Sequence, residues 1–588
     1  MEKMIIYQVL PRIFGNREKT RRKNGSIAEN GTGKFSAFTP NVLAEIRKSG
    51  FTHIWYTGVI EHATQTDYTA YGIARDHSAV VKGKAGSPYA VKDYYDVDPD
   101  LADHVPGRMM EFEALVRRTH DAGMKVIIDF VANHVARRYY SDAKPVTVRN
   151  LGEQDDVFKD FDPGNNFYYL PGQTLVLHFG AEQEDFEYSE FPARATGNDC
   201  FSPFPGRNDW YETIKLNYGV DCLRGGKCHF DPIPDTWLKM LDILRFWAGK
   251  GVDGFRCDMA EMAPVEFWNW AIQRVKAERD VCFIAEVYNP SLYRKYIREG
   301  LFDYLYDKVG LYDTLRDVIC GRKRADEITR RRQEVEDIHP HMLAFLENHD
   351  EQRIASAFFA GYAQAGFPGM IVAATLGVNP VMLYYGQELG EPGMDDEGFS
   401  GCDGRTTIFD YWSLERLQNR FGDGRFDDSL LTEEQKALHR AYAQLLRIAG
   451  SEPAICRGAF FDLMYANAHN PCFNRQYIYA CLRKYCSDVA LIVVNFERTA
   501  QTVRVRIPPE AFTALRFADN RAAVLTDLFT GRQTVGTLTA ACPFEVSVPA
   551  HSGMLLRFEY DSLEDDRPEP ETRSALHDER PYLSSNFL

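Results

Sequence analysis

A (β/α)8 barrel of the TIM type, with a subdomain inserted after its third strand and an antiparallel β-sandwich behind it, is the fold this 588-residue sequence predicts. Three observations predict it. Eight short runs of apolar, β-branched and aromatic residues recur before residue 386. Helical patterns separate most of them, and alternating strand and helix means parallel βα units. Three of the runs end in acidic residues, at Asp258, at Glu286 and at Glu347 with Asp350. The C-terminal strand ends of such a barrel are where its chemistry collects.

The eight strand-like runs are residues 5–9, 53–56, 126–131, 254–258, 283–287, 302–306, 343–346 and 380–385. Residues 109–122 place Phe112, Leu115, Val116 and Thr119 at helical spacing before Gly123 stops the pattern. Residues 237–247 repeat apolar side chains at Leu238, Leu241, Ile243, Leu244 and Phe246, up to the turn Gly249-Lys250-Gly251. More than 100 residues separate the third run from the fourth. Their Asp-, Gly-, Pro-, Asn- and Tyr-rich part, about 136–219, reads as a subdomain inserted on the catalytic face. A Gly- and Asp-rich loop at 386–410 follows the last run, then a helical stretch at 432–448. From about residue 451 the pattern turns to strands alone, at 478–482, 489–496, 502–507 and 554–558, as expected of a small sandwich. The division is therefore a barrel over 1–450, a sandwich over 451–560 and a flexible acidic tail over 561–588.

Composition narrows the class. A hydrophobic content of 45% supplies a large core and excludes wholesale disorder. The formal charge of −16 excludes a general nucleic-acid or anionic-membrane surface, and serves solubility first. The twelve cysteines contain no CxxC pair, and Cys222 and Cys228 stand apart from any histidine cluster, so no zinc site is indicated. Cys257 and Cys282 fall in apolar runs, where cysteine behaves as a small hydrophobe. So many unpatterned cysteines favour a reducing compartment. With no full signal peptide at the opening run and no 18-residue apolar stretch, the expectation is a cytoplasmic protein with neither membrane nor nucleic-acid partner. Nothing in the sequence sets the oligomeric state.

The acidic run ends carry chemistry of their own. Arg256 stands two residues before Asp258, so both project to one side of a strand. A guanidinium beside a carboxylate favours the ionised form, which suits a nucleophile. Glu286 ends the wholly apolar run Phe283-Ile284-Ala285, and burial favours the protonated form, which suits a general acid. His349 and Asp350 together can grip neighbouring hydroxyls. Two carboxylates pushed apart in pKa are what cleavage of a glycosidic bond requires. Any one of these acids could instead cap a strand or pair with a base; three at barrel strand ends make that reading weaker.

Five motifs in order then carry a family resemblance. They are Asp129-Phe130-Val131-Ala132-Asn133-His134, Gly254 to Asp258, Glu286 at the fifth strand, Asn348-His349-Asp350, and Tyr384-Tyr385-Gly386-Gln387-Glu388. With Tyr89 in Pro88-Tyr89-Ala90, they resemble the α-amylase family of glycoside hydrolases over about residues 1–560. The resemblance implies a retaining hydrolase of α-1,4-glucosidic bonds in starch, glycogen or maltodextrins. Asp258 would be the nucleophile that forms a covalent glycosyl intermediate, and Glu286 the acid and then the base. Asp350 would hold the 2- and 3-hydroxyls. Arg256, His134 and His349 would line the broken bond, and Tyr89 would stack on the sugar. Asp129, inside its strand, is structural. No cofactor enters the chemistry, but Asn133 matches a ligand of a structural calcium ion in many members. The same residues would serve a transglycosylase that passes the glycosyl group to a sugar. A non-catalytic carbohydrate-binding relative would have lost some of the three acids, and all three are present.

The chain departs from the family pattern in two places. Where many α-amylases have Lys-His gripping the sugar on the leaving side, this chain has Glu261 and Met262. These two are expected to change substrate contacts there. The end of the insert reads Lys215-Leu216-Asn217 in place of an Asp-Leu-Asn string, which sets a cation near the expected calcium position.

Overall fold

The computed structural model describes residues 3–178, 188–393, 397–422 and 424–560. Eight of the apolar runs pair as parallel strands: β1 (Ile5–Val9), β2 (His53–Tyr56), β3 (Lys125–Val131), β4 (Gly254–Asp258), β5 (Cys282–Ala285), β6 (Tyr304–Tyr306), β7 (Met342–Leu343) and β8 (Val381–Tyr384). Their spatial order follows the chain, with β8 beside β1. Ala344 bridges Val381 in parallel, and Met382 N–H donates to the Ala344 carbonyl at 2.9 Å, so the sheet closes on itself. The expected barrel is present. Its seventh strand is shorter than the run at 343–346, because regular pairing with β6 involves only Met342 and Leu343.

Strand alternation sorts the side chains. Ile6, Trp55, Ile127, Ile284, Tyr306 and Phe345 form one apolar cluster that fills the barrel. Phe255 and Cys257 of β4 belong to the larger cluster under the helices, which leaves Arg256 and Asp258 on the axial side. The helices α1 (Pro40–Lys48), α2 (Arg108–Asp121), α3 (Asp235–Gly249), α4 (Val265–Glu278), α5 (Tyr293–Arg298), α6 (Asp313–Ile319), α7 (Glu327–Glu334) and α8 (Phe367–Thr375) fall between the strands. Helix α1 starts where Thr39 Oγ1 accepts the Val42 N–H, with Pro40 at the first position. In α3 the buried face is Trp237, Met240, Leu241, Leu244 and Trp247, while Leu238 is 48% exposed. The apolar stripe is thus set by the two tryptophans rather than by Leu238. A nineteen-residue helix, α9 (Glu433–Ser451), follows β8 and opens with a Thr432/Gln435 capping box.

Between β3 and α3 the insert is held by short antiparallel pairs, among them His134–Ala136 with Thr213–Lys215. Beyond α9 lie β9 (Ala459–Asp462), β10 (Ile478–Tyr485), β11 (Asp488–Asn495), β12 (Gln501–Val505), β13 (Arg521–Asp527), β14 (Gln533–Leu538), β15 (Phe544–Val548) and β16 (Ser552–Glu559). Six form an antiparallel sheet in the order β9-β10-β11-β16-β13-β14, and β12 pairs with β15 separately. The fully buried Arg483 guanidinium ties this region to the barrel by donating to the carbonyls of Leu376, Ile455 and Gly458. Part of the insert and the tail expected at 561–588 lie outside the described residues. Among the described residues, no helix is long and apolar enough to cross a membrane.

Candidate active site

Because β4 alternates, Arg256 and Asp258 emerge together at the axis, and Arg256 becomes the hub. Its guanidinium is fully buried, with Nη1 2.7 Å from Asp258 Oδ1 and Nη2 2.8 Å from Glu286 Oε1. Its Nε donates to the Tyr306 hydroxyl at 3.1 Å, and the rings of Trp55, Tyr89 and Tyr306 surround it at 5.3 to 5.4 Å. Carboxylates and ring faces together let a buried cation persist.

One guanidinium cannot neutralise two buried carboxylates. Arg256 is expected from sequence to keep Asp258 ionised, but burial outweighs it. Desolvation pushes the Asp258 carboxyl well above the usual range; Arg256 opposes this, and the charges of Glu286 and Asp350 reinforce it. Glu286 has more donors. Its Oε1 accepts the Tyr288 hydroxyl at 2.6 Å and its Oε2 accepts the Met259 N–H at 2.9 Å. Met259 takes a left-handed φ of 41°, unusual for a residue with a side chain. That strain, of order 1–3 kcal/mol, accompanies an N–H aimed at Glu286.

Asp350 stands on the third strand-end run beside His349. The Gln8 amide lies 2.8 Å from His349 Nδ1; with that amide donating, the ring proton sits on Nε2, 3.0 Å from Asp350 Oδ2. Burial alone would raise the Asp350 carboxyl, but His349, with Arg256 and Arg405 beyond it, brings it down to about 2. Tyr89 stacks on the His349 ring at 5.1 Å, and its hydroxyl lies 2.6 Å from His349 Nε2 and donates to Asp129 Oδ1 at 3.2 Å. Asp129 also accepts from Trp55 Nε1 and the Gly58 N–H, so it buttresses Tyr89 from below. Glu347 is engaged elsewhere, paired with Arg353 at 2.8 Å.

These groups border a cavity of about 240 Å³. Of the residues singled out from sequence, Tyr89, His134, Asp258, Glu286, His349 and Asp350 line it. Arg256 lies beneath them. His134 is held neutral, its pKa down at about 3 through burial and the charges of Lys215 and Lys82. Sequence reasoning missed Tyr288, Trp210 and Phe409, which also line the cavity. Tyr288, two residues past Glu286, could have been found by the strand period. Trp210 and Phe409 sit in loops, where periodicity gives no signal.

Glu261 and Met262, expected from sequence to alter contacts on the leaving side, are not among the residues lining this cavity. They lie on a short turn after β4, where the Glu261 carboxylate accepts the N–H groups of Tyr288 and Asn289 at 3.3 and 3.1 Å. The anionic side chain thus fastens the loop that carries Tyr288.

The calcium expected beside Asn133 does not fit the residues present. Asn133 Oδ1 accepts from Lys215 Nζ at 2.9 Å, and its Nδ2 donates to the Gly197 carbonyl at 2.6 Å. Lys215 also pairs with Asp199 at 2.6 Å. A calcium ion needs six to eight converging oxygens; here an ammonium occupies the amide oxygen that would face the ion.

Paired carboxylates over a shared guanidinium, at the C-terminal end of a closed (β/α)8 barrel, define a glycoside-hydrolase type of site. Comparison with known proteins agrees. The model of the α-amylase catalytic domain matches residues 8–180 and 233–409. The chain belongs to the α-amylase family and is a glycoside hydrolase. It is 25% identical to Alpha-amylase 3 of Dictyoglomus thermophilum over 389 residues, 63% of this chain and 68% of that one. It is 22% identical to a cyclomaltodextrinase of Geobacillus thermopakistaniensis, covering 94% of this chain and 76% of that one. It spans about half the length, 45 and 50%, of two further α-amylases that it matches. The maltogenic α-amylase AmyB of Thermotoga neapolitana shares its fold, with a TM-score of 0.61 at 18% identity over 95% of this chain and 99% of that one.

Proposed function

We propose that this chain hydrolyses α-1,4-glucosidic bonds in starch, glycogen or maltodextrins with retention of configuration. One observation carries the reading: a single buried guanidinium touches both Asp258 and Glu286, at 2.7 and 2.8 Å, beside a cavity that Asp258, Glu286 and Asp350 all line. Retention needs two carboxyls about 5 Å apart, and sharing one guanidinium supports that spacing. Asp258 attacks the anomeric carbon as the bond to the leaving oxygen breaks, and Glu286 gives that oxygen its proton. Water then attacks the glycosyl-Asp258 ester, loses its proton to Glu286 and frees the carboxylate. The cycle requires the single proton of the pair on Glu286 with Asp258 ionised; burial opposes that at Asp258, and the Arg256 guanidinium at 2.7 Å favours it. Asp350, ionised down to about pH 2, accepts hydrogen bonds from the 2- and 3-hydroxyls. Tyr89 offers an apolar face for the sugar.

Short maltodextrins are the proposed substrates among the α-glucans, because the likeness to a cyclomaltodextrinase runs over 94% of the chain. The chemistry as proposed calls on no cofactor. No two of the twelve cysteines are joined in a disulfide, which supports a reducing compartment such as the cytoplasm. The test is a product time course on maltoheptaose with the released anomer read by proton NMR. Shorter products released as the α anomer are expected. Release of the β anomer would overturn the double displacement, and accumulation of longer oligosaccharides would turn the assignment to transglycosylation.

A further inference from the structure

Outside the cavity, a second group of carboxylates has no part in this chemistry. The strand Ile60–His62 runs antiparallel to Val91–Val97, with an irregular register that sets Glu61 opposite Asp93. Glu61 is 2%, Asp93 0% and Asp96 5% exposed. The start of the insert closes over them, as the N–H groups of Asp142 and Ala143 donate to Asp93 Oδ2 at 3.0 and 3.1 Å. One oxygen each from Glu61, Asp96 and the exposed Asp142 lie within 4.8 Å of one another.

A separate observation points to a ligand. Glu61 Oε2 is buried and has no hydrogen-bond partner. An orphaned buried carboxylate oxygen is costly, and native structures rarely leave one without water, proton or ion. The neighbouring cations cannot supply the balance. Lys92 Nζ is committed to Asp76 at 2.9 Å, and Arg108 pairs with Asp96 at 2.7 Å. Four acids therefore face one guanidinium and the already paired Lys92, whose charge also reaches Glu61. Burial accordingly raises the carboxyls of Glu61, Asp93 and Asp96, the last to about 6.

We propose that Glu61, Asp96 and Asp142 bind a divalent cation that prefers oxygen ligands. The donors are carboxylates alone, which favours calcium or magnesium over zinc or copper. An irregular set of three carboxylates with water completing the shell suits calcium, because magnesium demands a near-ideal octahedron. Exposed Asp142 gives the ion access. The bound ion would tie the strand that follows Tyr89 to the first residues of the insert, and so brace one wall of the active-site cavity. It is distinct from the position beside Asn133, where Lys215 stands.

Calcium titrated calorimetrically into the full chain, stripped with EDTA and desalted, tests this. One saturable site per chain is expected, with Kd of about 10⁻⁴ M or tighter, together with a rise in melting temperature. Asp142→Asn, at an exposed position, is expected to weaken binding at least about tenfold by removing a charged ligand, with activity on maltoheptaose in EDTA unchanged. Glu61→Gln is expected to abolish binding, and Asp199→Asn beside Lys215 to leave it unaltered. Absence of saturable binding up to about 10 mM calcium, beyond the weakest extracellular sites, overturns the proposal. Binding that survives both Asp142→Asn and Glu61→Gln, or that Asp199→Asn alone removes, also overturns it. Should Glu61→Gln fail to fold, Asp142→Asn decides. Magnesium in place of calcium identifies which ion the site prefers.

Discussion

Replacing Arg256 by lysine keeps the charge and removes the fork. Arg256 reaches Asp258, Glu286 and the Tyr306 hydroxyl with three different nitrogens. A lysine ammonium is a point donor on a flexible stem and can approach one carboxylate closely while losing the other. The variant thus forfeits one charge-assisted contact, about 1.5–3 kcal/mol. If that contact holds the pair in its reactive geometry, kcat/KM should fall roughly 10- to 150-fold. The three rings around the guanidinium leave a gap that the slimmer ammonium cannot fill, so the melting temperature should drop as well. The assay is kcat/KM on maltoheptaose from pH 4 to 9, with near-UV circular dichroism to establish folding. A folded Arg256→Lys enzyme within twofold of the parent, with the same pH profile, would refute the argument that sharing one guanidinium organises the two carboxyls.

Other outcomes follow from the same geometry. Asp258→Asn should fold and lose at least about a thousandfold in kcat, as removal of a nucleophile does; turnover near the parental rate would sink that role. Glu261→Ala frees the N–H groups of Tyr288 and Asn289, a loss of about 1 kcal/mol. It should lower the melting temperature by a few degrees and alter the ratio of transfer to hydrolysis, because the Tyr288 loop is loosened; an unaltered product ratio would return Glu261 to a purely structural part. His134 titrates at about 3 when folded against about 6.5 when unfolded. Its neutral form is the folded one, so its contribution is intact above pH 6.5 and erodes as pH falls toward 3. That makes about 1–2 kcal/mol of destabilisation at pH 5, and His134→Gln should flatten the melting-temperature profile between pH 7 and 5. Asp350, lowered to about 2, contributes above pH 4 and loses its contribution between pH 4 and 2; its side chain is 43% exposed, which keeps the effect below ~1 kcal/mol. An acid-unfolding curve unchanged by Asp350→Asn would agree with that bound.

Much of the barrel was readable because its strands are buried on both faces. Such strands show as continuous apolar runs whatever the rest of the chain does, so all eight stood out. The sandwich was half readable. Strands β10 and β11 are almost wholly buried, whereas β13 and β14 keep an exposed face with polar and small residues that resemble loop. At the site, strand-end carboxylates and their partners two residues away were visible in the local period. Trp210 and Phe409 were not, because only tertiary folding brings those loops over the barrel mouth.

Sequence alone determined the barrel, the three acids Asp258, Glu286 and Asp350 at its strand ends, and the family to which they belong. Tertiary structure decided how charge is shared among them. Arg256 looked like a private partner of Asp258 because it stands two residues away; in the closed barrel β5 brings Glu286 to the same guanidinium, and burial then prevails at Asp258. Glu261 and Asn133 were likewise reassigned by partners remote in sequence, the Tyr288 loop and Lys215. Local spacing tells which way a side chain points, but burial and long-range charge, which set its protonation and partners, exist only once distant segments meet.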